Sequence, residues 1–176
     1  MITVVIGKPK SGKSDIAEDL AVKGDYRNRY YIATMKIMDE DGKKRAEEHR
    51  KKREGKGFVT LEIPAEIGSA EKSISDPMES VVLLECMSNL VGNMMHGVPN
   101  TMWLCELGEV GQKEFVMSVV EKVTSLAAKV RDMIVVTTEY EPESTDDEET
   151  ALYKTLLSGV NTELMKTADK VIRSQN

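Results

Sequence analysis

Residues 7–14 read G-K-P-K-S-G-K-S and follow directly on the apolar run Met1-Ile-Thr-Val-Val-Ile6. This spacing after a buried strand and before an amphipathic helix predicts a phosphate-binding turn. Glycine lets backbone N–H groups converge on anionic oxygens. A helix opening near Lys13 adds the positive end of its dipole. Lys13 would then reach the β- and γ-phosphates, and the Ser14 hydroxyl would ligate Mg²⁺. Gly7, Lys8, Pro9, Lys10, Ser11, Gly12, Lys13 and Ser14 together are expected to bind a nucleoside triphosphate. The alternative is a chance glycine-rich turn.

The rest of the chain supplies the scaffold that such a loop needs. Ile16, Ala17, Leu20 and Ala21 share one face of a helix running to about Val22. Strands are expected at Tyr30–Ala33, Phe58–Ile63, Ser80–Glu85 and Met133–Thr137, with a terminal strand at Val171-Ile172. Helices are expected over Asp39–Glu54 and Met87–His96, over a long segment ending at Arg131, and through Leu152–Leu164. A loop around Pro99 and Trp103 separates two of them. Strands and helices that alternate along the chain with no repeat or low-complexity linker predict one three-layer α/β domain over residues 1–176, with a mostly parallel sheet of the RecA-like phosphate-loop type.

The formal net charge of −6 argues against a general nucleic-acid binder. Cys86 and Cys105 match no metal or redox spacing and read as reduced core residues. No stretch is long and apolar enough to span a bilayer, and the chain enters a strand at once rather than a signal peptide, so a cytoplasmic location is the expectation.

Two further features bear on chemistry. Glu85 ends an otherwise apolar strand, at the sheet edge where open α/β sheets bind ligands. It reads either as the acidic partner of Ser14 at Mg²⁺ or as a strand-end charge facing water. From Lys43 to Lys56 there are eight Lys or Arg residues against three Glu, with His49 among them. Helical spacing puts Arg45, His49, Lys52 and Arg53 on one face. Such a face would hold phosphate oxygens around an imidazole kept neutral by neighbouring cations, its ring nitrogen free to attack phosphorus. The alternative is a solvated helix with an incidental histidine.

In their order these motifs resemble those of the bifunctional adenosylcobinamide kinase/adenosylcobinamide-phosphate guanylyltransferases of cobalamin biosynthesis. Tyr31-Ile-Ala-Thr34 resembles the family's Y-I-A-T, and Arg45-x-x-x-His49-Arg-x-x-Arg53 its R-I-x-x-H-[RK]-x-x-R. Phe58-x-Thr60-x-Glu62 is similar to W-x-T-x-E, Leu84-Glu85-Cys86 to L-[ED]-C, and Val136-Thr-Thr-Glu139 to V-T-N-E. Gly159-Val-Asn161 with Ala168-Asp169-x-Val171 is similar to a closing G-x-x-N…A-D-x-V pattern. The resemblance implies phosphorylation of adenosylcobinamide by ATP or GTP. It then implies transfer of GMP from GTP, through a guanylylated His49, to give adenosylcobinamide-GDP. It assigns nucleotide contacts to the loop, to Thr34, Met35 and Lys36, to Arg50, Lys51, Lys52 and Arg53, and to Glu62 and Glu85. A homotrimer and a corrinoid substrate belong to the same expectation.

The C-terminal third departs from that pattern. Where the family carries a glycine-rich segment, seven carboxylates occur from Glu139 to Glu149, read as a solvated, mobile loop rather than a metal site. The family's closing G-I-P-x-x-I-K stretch is absent before Asn176. Two other readings therefore stand beside the bifunctional one: a kinase of another small alcohol, and a degenerate nucleotide-binding relative. His96 reads as a surface or capping residue. Trp103, with Met102 and Leu104, reads as core packing, the alternatives being a subunit interface or a place under the substrate.

Overall fold

The computed structural model describes residues 1–97 and 108–174, so the expected loop at Pro99, Trp103 and Cys105 lies outside the described residues. Six strands form one sheet: β1 (Ile2–Gly7), β2 (Asn28–Ala33), β3 (Phe58–Glu62), β4 (Ser80–Glu85), β5 (Asp132–Thr138) and β6 (Lys170–Arg173). Their order is β3-β2-β4-β5-β1-β6, and every pairing is parallel. The sheet joins helices α1 (Lys13–Lys23), α2 (Glu40–Arg53), α3 (Met87–Gly97), α4 (Gly108–Ala127) and α5 (Glu148–Thr167).

Alternation along the strands divides the core in two. Val4, Ile6, Ile32, Val82, Leu84, Met133 and Val135 face a large cluster built with α3, α4 and α5. Val5, Tyr31, Val81, Leu83, Ile134 and Val136 face the smaller cluster under α1, where Ala17 and Ala21 are fully buried. Strands buried on both faces read as unbroken apolar runs, which is why β1, β4 and β5 are so plain in the sequence.

The long helix α4 ends at Ala127, four residues before the expected Arg131. Lys129 and Val130 donate to the carbonyls three residues back, tightening the last turn, and the Arg131 N–H turns to Pro77 O. Val130 stays buried in that turn, so apolar spacing persists past the helix end.

The closing motif has a structural purpose. Asp169 Oδ2 accepts from the Ile2 N–H at 2.6 Å, and the Asp169 N–H donates to Ile2 O, fastening β6 beside β1. Asn161 is buried in α5. Its Oδ1 accepts from the Thr137 hydroxyl at 2.5 Å, and its Nδ2 donates to Thr138 O, pinning the end of β5.

Strand register aligns the carboxyl edge. Glu62 pairs with Ala33, Ala33 with Glu85, Glu85 with Val136, and Val136 with Val5. The last residues of β3, β2 and β4 therefore stand level with the approach to the glycine-rich turn.

Candidate active site

The turn after β1 takes the shape its glycines allow. Gly12 caps α1 in the left-handed region at φ 78°, a conformation that costs glycine little. Lys10 adopts φ 60°. The Ser11 N–H donates to Lys8 O, and the Lys13 ammonium donates to the same carbonyl at 2.5 Å. Lys13 is 7% exposed, and burial pushes its pKa down, partly opposed by the negative charge of Glu85. The C-terminal strand closes on this turn, because the Ser11 and Ser174 hydroxyls share a hydrogen bond.

The link from loop to acidic residue is direct. The Ser14 hydroxyl donates to Glu85 Oε1 at 2.7 Å. Glu85 Oε2 is buried and has no hydrogen-bond partner. Loss of hydration raises the Glu85 pKa to about 7, despite the Ser14 bond and the nearby cations Lys13 and Arg53. A hydroxyl and a carboxylate with a spare buried oxygen form a hard oxygen donor set, the kind that fits Mg²⁺. The alternative of a water-facing strand-end charge does not describe Glu85.

Glu85 also lines a cleft of about 270 Å³ whose opposite wall is α2. Arg45, His49 and Arg53 enter that wall at four-residue intervals, joined by Ala46 and Arg50. Lys52, expected on this face, is solvent-exposed and does not line the cleft, because the helix presents its one-turn-spaced 45-49-53 row there and Arg50 takes the flanking place. Lys51 is likewise exposed. His49 is half-buried, and burial lowers its pKa, with Arg53 and Lys52 adding to the effect. Burial first, and the neighbouring cations second, thus favour the uncharged ring.

Arg53 is the unusual member. It is 6% exposed, its guanidinium lies 3.5 Å over the Tyr31 ring, and its Nε and Nη1 are buried without partners. Arg50 pairs with Glu62 at the rim. Lys56, just past α2, pairs at 2.5 Å with Glu18, a buried carboxylate on α1. Sequence reasoning missed Glu18 and the placement of Tyr31. A glutamate between the buried Ala17 and Ala21 of α1 was the available signal for the first.

The strand-end residues divide. Met35 lines the cleft, whereas Lys36 is exposed and does not. Thr34 is fully buried. Its hydroxyl donates to Glu85 O or Cys86 O and accepts from the Cys86 N–H at 2.8 Å, so the side chain braces the end of β4. The Glu85–Cys86 peptide bond there is cis. Cys86 is free and packs against the smaller core cluster, as expected from the sequence, but at its margin. It is half-buried and lines the cleft, because it follows the last residue of β4, where the sheet has ended.

The acidic segment is largely solvent-exposed, in line with a solvated loop, and ion pairs tether it. Lys154 is 11% exposed and reaches Glu141 O, Glu143 and Asp146, while Asp147 caps α5 by accepting from the Thr150 N–H. Glu141 pairs with Lys8 at 2.9 Å, and Arg173 with Glu139 at 2.6 Å. Among the described residues no group of three or more His, Cys, Asp and Glu side chains is gathered as a metal-holding cluster. His96 is exposed at the end of α3 and lies 3.3 Å from Glu149.

A parallel sheet with a glycine-rich turn, lysine and serine after β1, and a carboxylate at the end of β4, defines the P-loop NTPase fold. Two solved structures share it. FlaH, a flagellar accessory protein from Methanocaldococcus jannaschii, aligns with a TM-score of 0.51 at 14% identity, over 98% of this chain and 70% of that one. A second, an ATPase domain, aligns with a TM-score of 0.52 at 12% identity, over 98% of this chain and 68% of that one. Within that class, the family model of cobinamide kinase / cobinamide phosphate guanyltransferase (CobU) matches residues 3–175, and the chain belongs to this family. A curated relative, the bifunctional adenosylcobalamin biosynthesis protein CobU of Escherichia coli (strain K12), is 37% identical over 95 residues. That match takes in 54% of this chain and 50% of the relative, so the chain aligns with about half of the relative's length.

Proposed function

We propose that residues 1–176 form one domain that phosphorylates adenosylcobinamide with ATP or GTP, then guanylylates the product through His49. One observation supports this above the rest: the hydroxyl of the loop residue Ser14 is bonded to Glu85, and Glu85 and His49 line the same cleft. Loop and imidazole thus meet at one carboxylate. Gly7–Ser14 would hold the phosphates, with Lys13 as the principal cation; Met35, Arg50, Arg53 and Glu62 would contact the nucleotide around the cleft. Thr34 would act by fixing the strand end. Lys36, Lys51 and Lys52 would contribute long-range positive charge.

Ser14 and Glu85 are the groups that would hold Mg²⁺, which when bound neutralises charge on the phosphates. In the guanylyl step a lone pair of neutral His49 attacks the α-phosphorus of GTP. An N–P bond forms as the bond to the bridging oxygen breaks, and pyrophosphate leaves with that electron pair. A phosphate oxygen of adenosylcobinamide phosphate then displaces the imidazole, giving adenosylcobinamide-GDP. Two displacements replace one awkward reaction between anions. A cytoplasmic homotrimer belongs to this reading by family resemblance.

Mass spectrometry of adenosylcobinamide incubated with the protein, Mg²⁺ and ATP, then GTP, tests the proposal. The expected products are the phosphate and then the GDP derivative. Phosphate alone identifies a kinase without the transferase step. Neither product overturns both activities.

A further inference from the structure

Helix α2 buries only two of its residues, Gly42 and Arg53. Its single deeply buried large side chain is therefore a cation. A buried guanidinium normally satisfies its donors with a carboxylate or carbonyl. Here two nitrogens, Nε and Nη1, have no partner, while the residue lines the cleft that His49 also lines. Two unsatisfied donors on a planar cation suit the oxygens of a phosphate.

What holds the guanidinium in place is a ring. Tyr31 lies on β2, is 3% exposed, and presents its face to Arg53 at 3.5 Å. Phe58 on β3 meets Tyr31 edge-on, with centroids 6.1 Å apart and planes at 81°. Tyr31 packs in the cluster with Val5, Ala17 and Leu83, so its orientation is set by the sheet and not by α2. A π-face attracts the cation without consuming any N–H donor. Stacking thus fixes the plane of Arg53 and leaves its hydrogen-bonding edge for a ligand; a carboxylate partner would have occupied that edge.

We propose that Tyr31 is a positioning residue for guanylyl transfer: its ring holds the Arg53 guanidinium oriented for the phosphate oxygens of GTP while His49 attacks the α-phosphorus. The assignment rests on the guanylyl-transfer reading above. Charge passes to the departing pyrophosphate as its bond to the α-phosphorus breaks, and a fixed cation stabilises that charge without first having to reorient.

The test is single-turnover formation of His49-bound label from GTP labelled at the α-phosphate, across wild type, Tyr31→Phe, Tyr31→Leu, Arg53→Ala and the Tyr31→Leu/Arg53→Ala pair. Tyr31→Phe keeps the face and should stay within about threefold of wild type. Tyr31→Leu should lower the rate at saturating GTP by about 10- to 100-fold, with a smaller change in the GTP concentration at half-maximal rate. In the Arg53→Ala background Tyr31→Leu should cost almost nothing more, since Tyr31 would act through Arg53. Equal losses in both backgrounds, or wild-type labelling by Tyr31→Leu, overturn the assignment. Should Tyr31→Leu fail to fold, Phe58→Leu carries the same cycle, with a loss of about three- to tenfold expected in the Arg53 background and none in Arg53→Ala. Absence of label in wild type overturns the guanylylation reading and this assignment with it, whereas label with additive mutants overturns the assignment alone.

Discussion

Lys13 and Arg53 are both cations withdrawn from solvent, 7% and 6% exposed, yet the two regions hold them differently. Lys13 opens a helix whose next turns bury Ala17 and Ala21 beneath β1 and β5, and its ammonium is tied to the backbone of its own loop. Arg53 closes a helix with no buried apolar side chain, and it is placed by an aromatic face. Around it the contacts are ionic: Arg50 with Glu62, Lys56 with Glu18. The loop is thus fixed by the core and the arm by charge. A phosphate site anchored in the core stays organised, whereas an arm held by polar contacts depends on salt, pH and ligand.

The largest effect expected is on the loop. Lys13→Ala should lower phosphoryl transfer by about 10²-fold or more, while shifting the unfolding midpoint little. Full activity in that variant would break the comparison at its firmer end. Next comes Glu85, the junction of the two regions. Its raised pKa means that the folded state binds a proton more tightly than the unfolded chain does. Without added metal, its contribution to stability should therefore fall as pH rises from the unfolded carboxylate value to about 7, then level off. Glu85→Gln should remove a dependence on the order of 3 kcal/mol. Urea unfolding at a series of pH values measures it, and an unchanged profile contradicts the burial argument.

Smaller effects are expected on the arm. The His49 pKa is lowered, so the acid limb of label formation should lie below its ordinary value of 6.5, leaving the ring reactive at neutral pH. Lys52→Gln should move that limb upward only slightly, because Lys52 is exposed and its charge is screened. A stopped-flow pH series reads both. Smallest of all, Glu62→Gln breaks only the exposed pair with Arg50 and should change stability by at most about 1 kcal/mol, measured by the urea midpoint. A larger loss would show that the arm is fastened more firmly than its exposure implies.

The same contrast explains how much of the molecule is legible in its sequence. Strands β1, β4 and β5 and the loop between β1 and α1 announce themselves, because burial on both faces and close backbone approach to phosphate each demand particular residues. The pairing of Ser14 with Glu85 follows from that grammar. The arm is legible only as charge. Eight basic residues indicate an anion site, but not that Lys52 faces solvent, that Arg53 is buried, or that Tyr31 lies beneath it. Those placements depend on how a polar helix settles against the edge of the sheet, a tertiary matter that periodicity does not encode. Cys86 illustrates the same limit: a cysteine after an apolar run reads as core, and it does pack against the smaller cluster, but the strand ends one residue earlier and leaves it lining the cleft as well. The tethering of the acidic segment by Lys154 was hidden because it depends on how the segment folds back along α5, which composition does not encode.

Covalent capture is the most direct measurement. The protein is mixed with Mg²⁺ and GTP labelled at the α-phosphate, then denatured, and protein-bound label is followed through acid and alkali. Acid-labile, alkali-stable label that maps to His49 and disappears in His49→Ala is the predicted result. Label that persists in His49→Ala, or wild-type protein that forms adenosylcobinamide-GDP without ever carrying label, would contradict it.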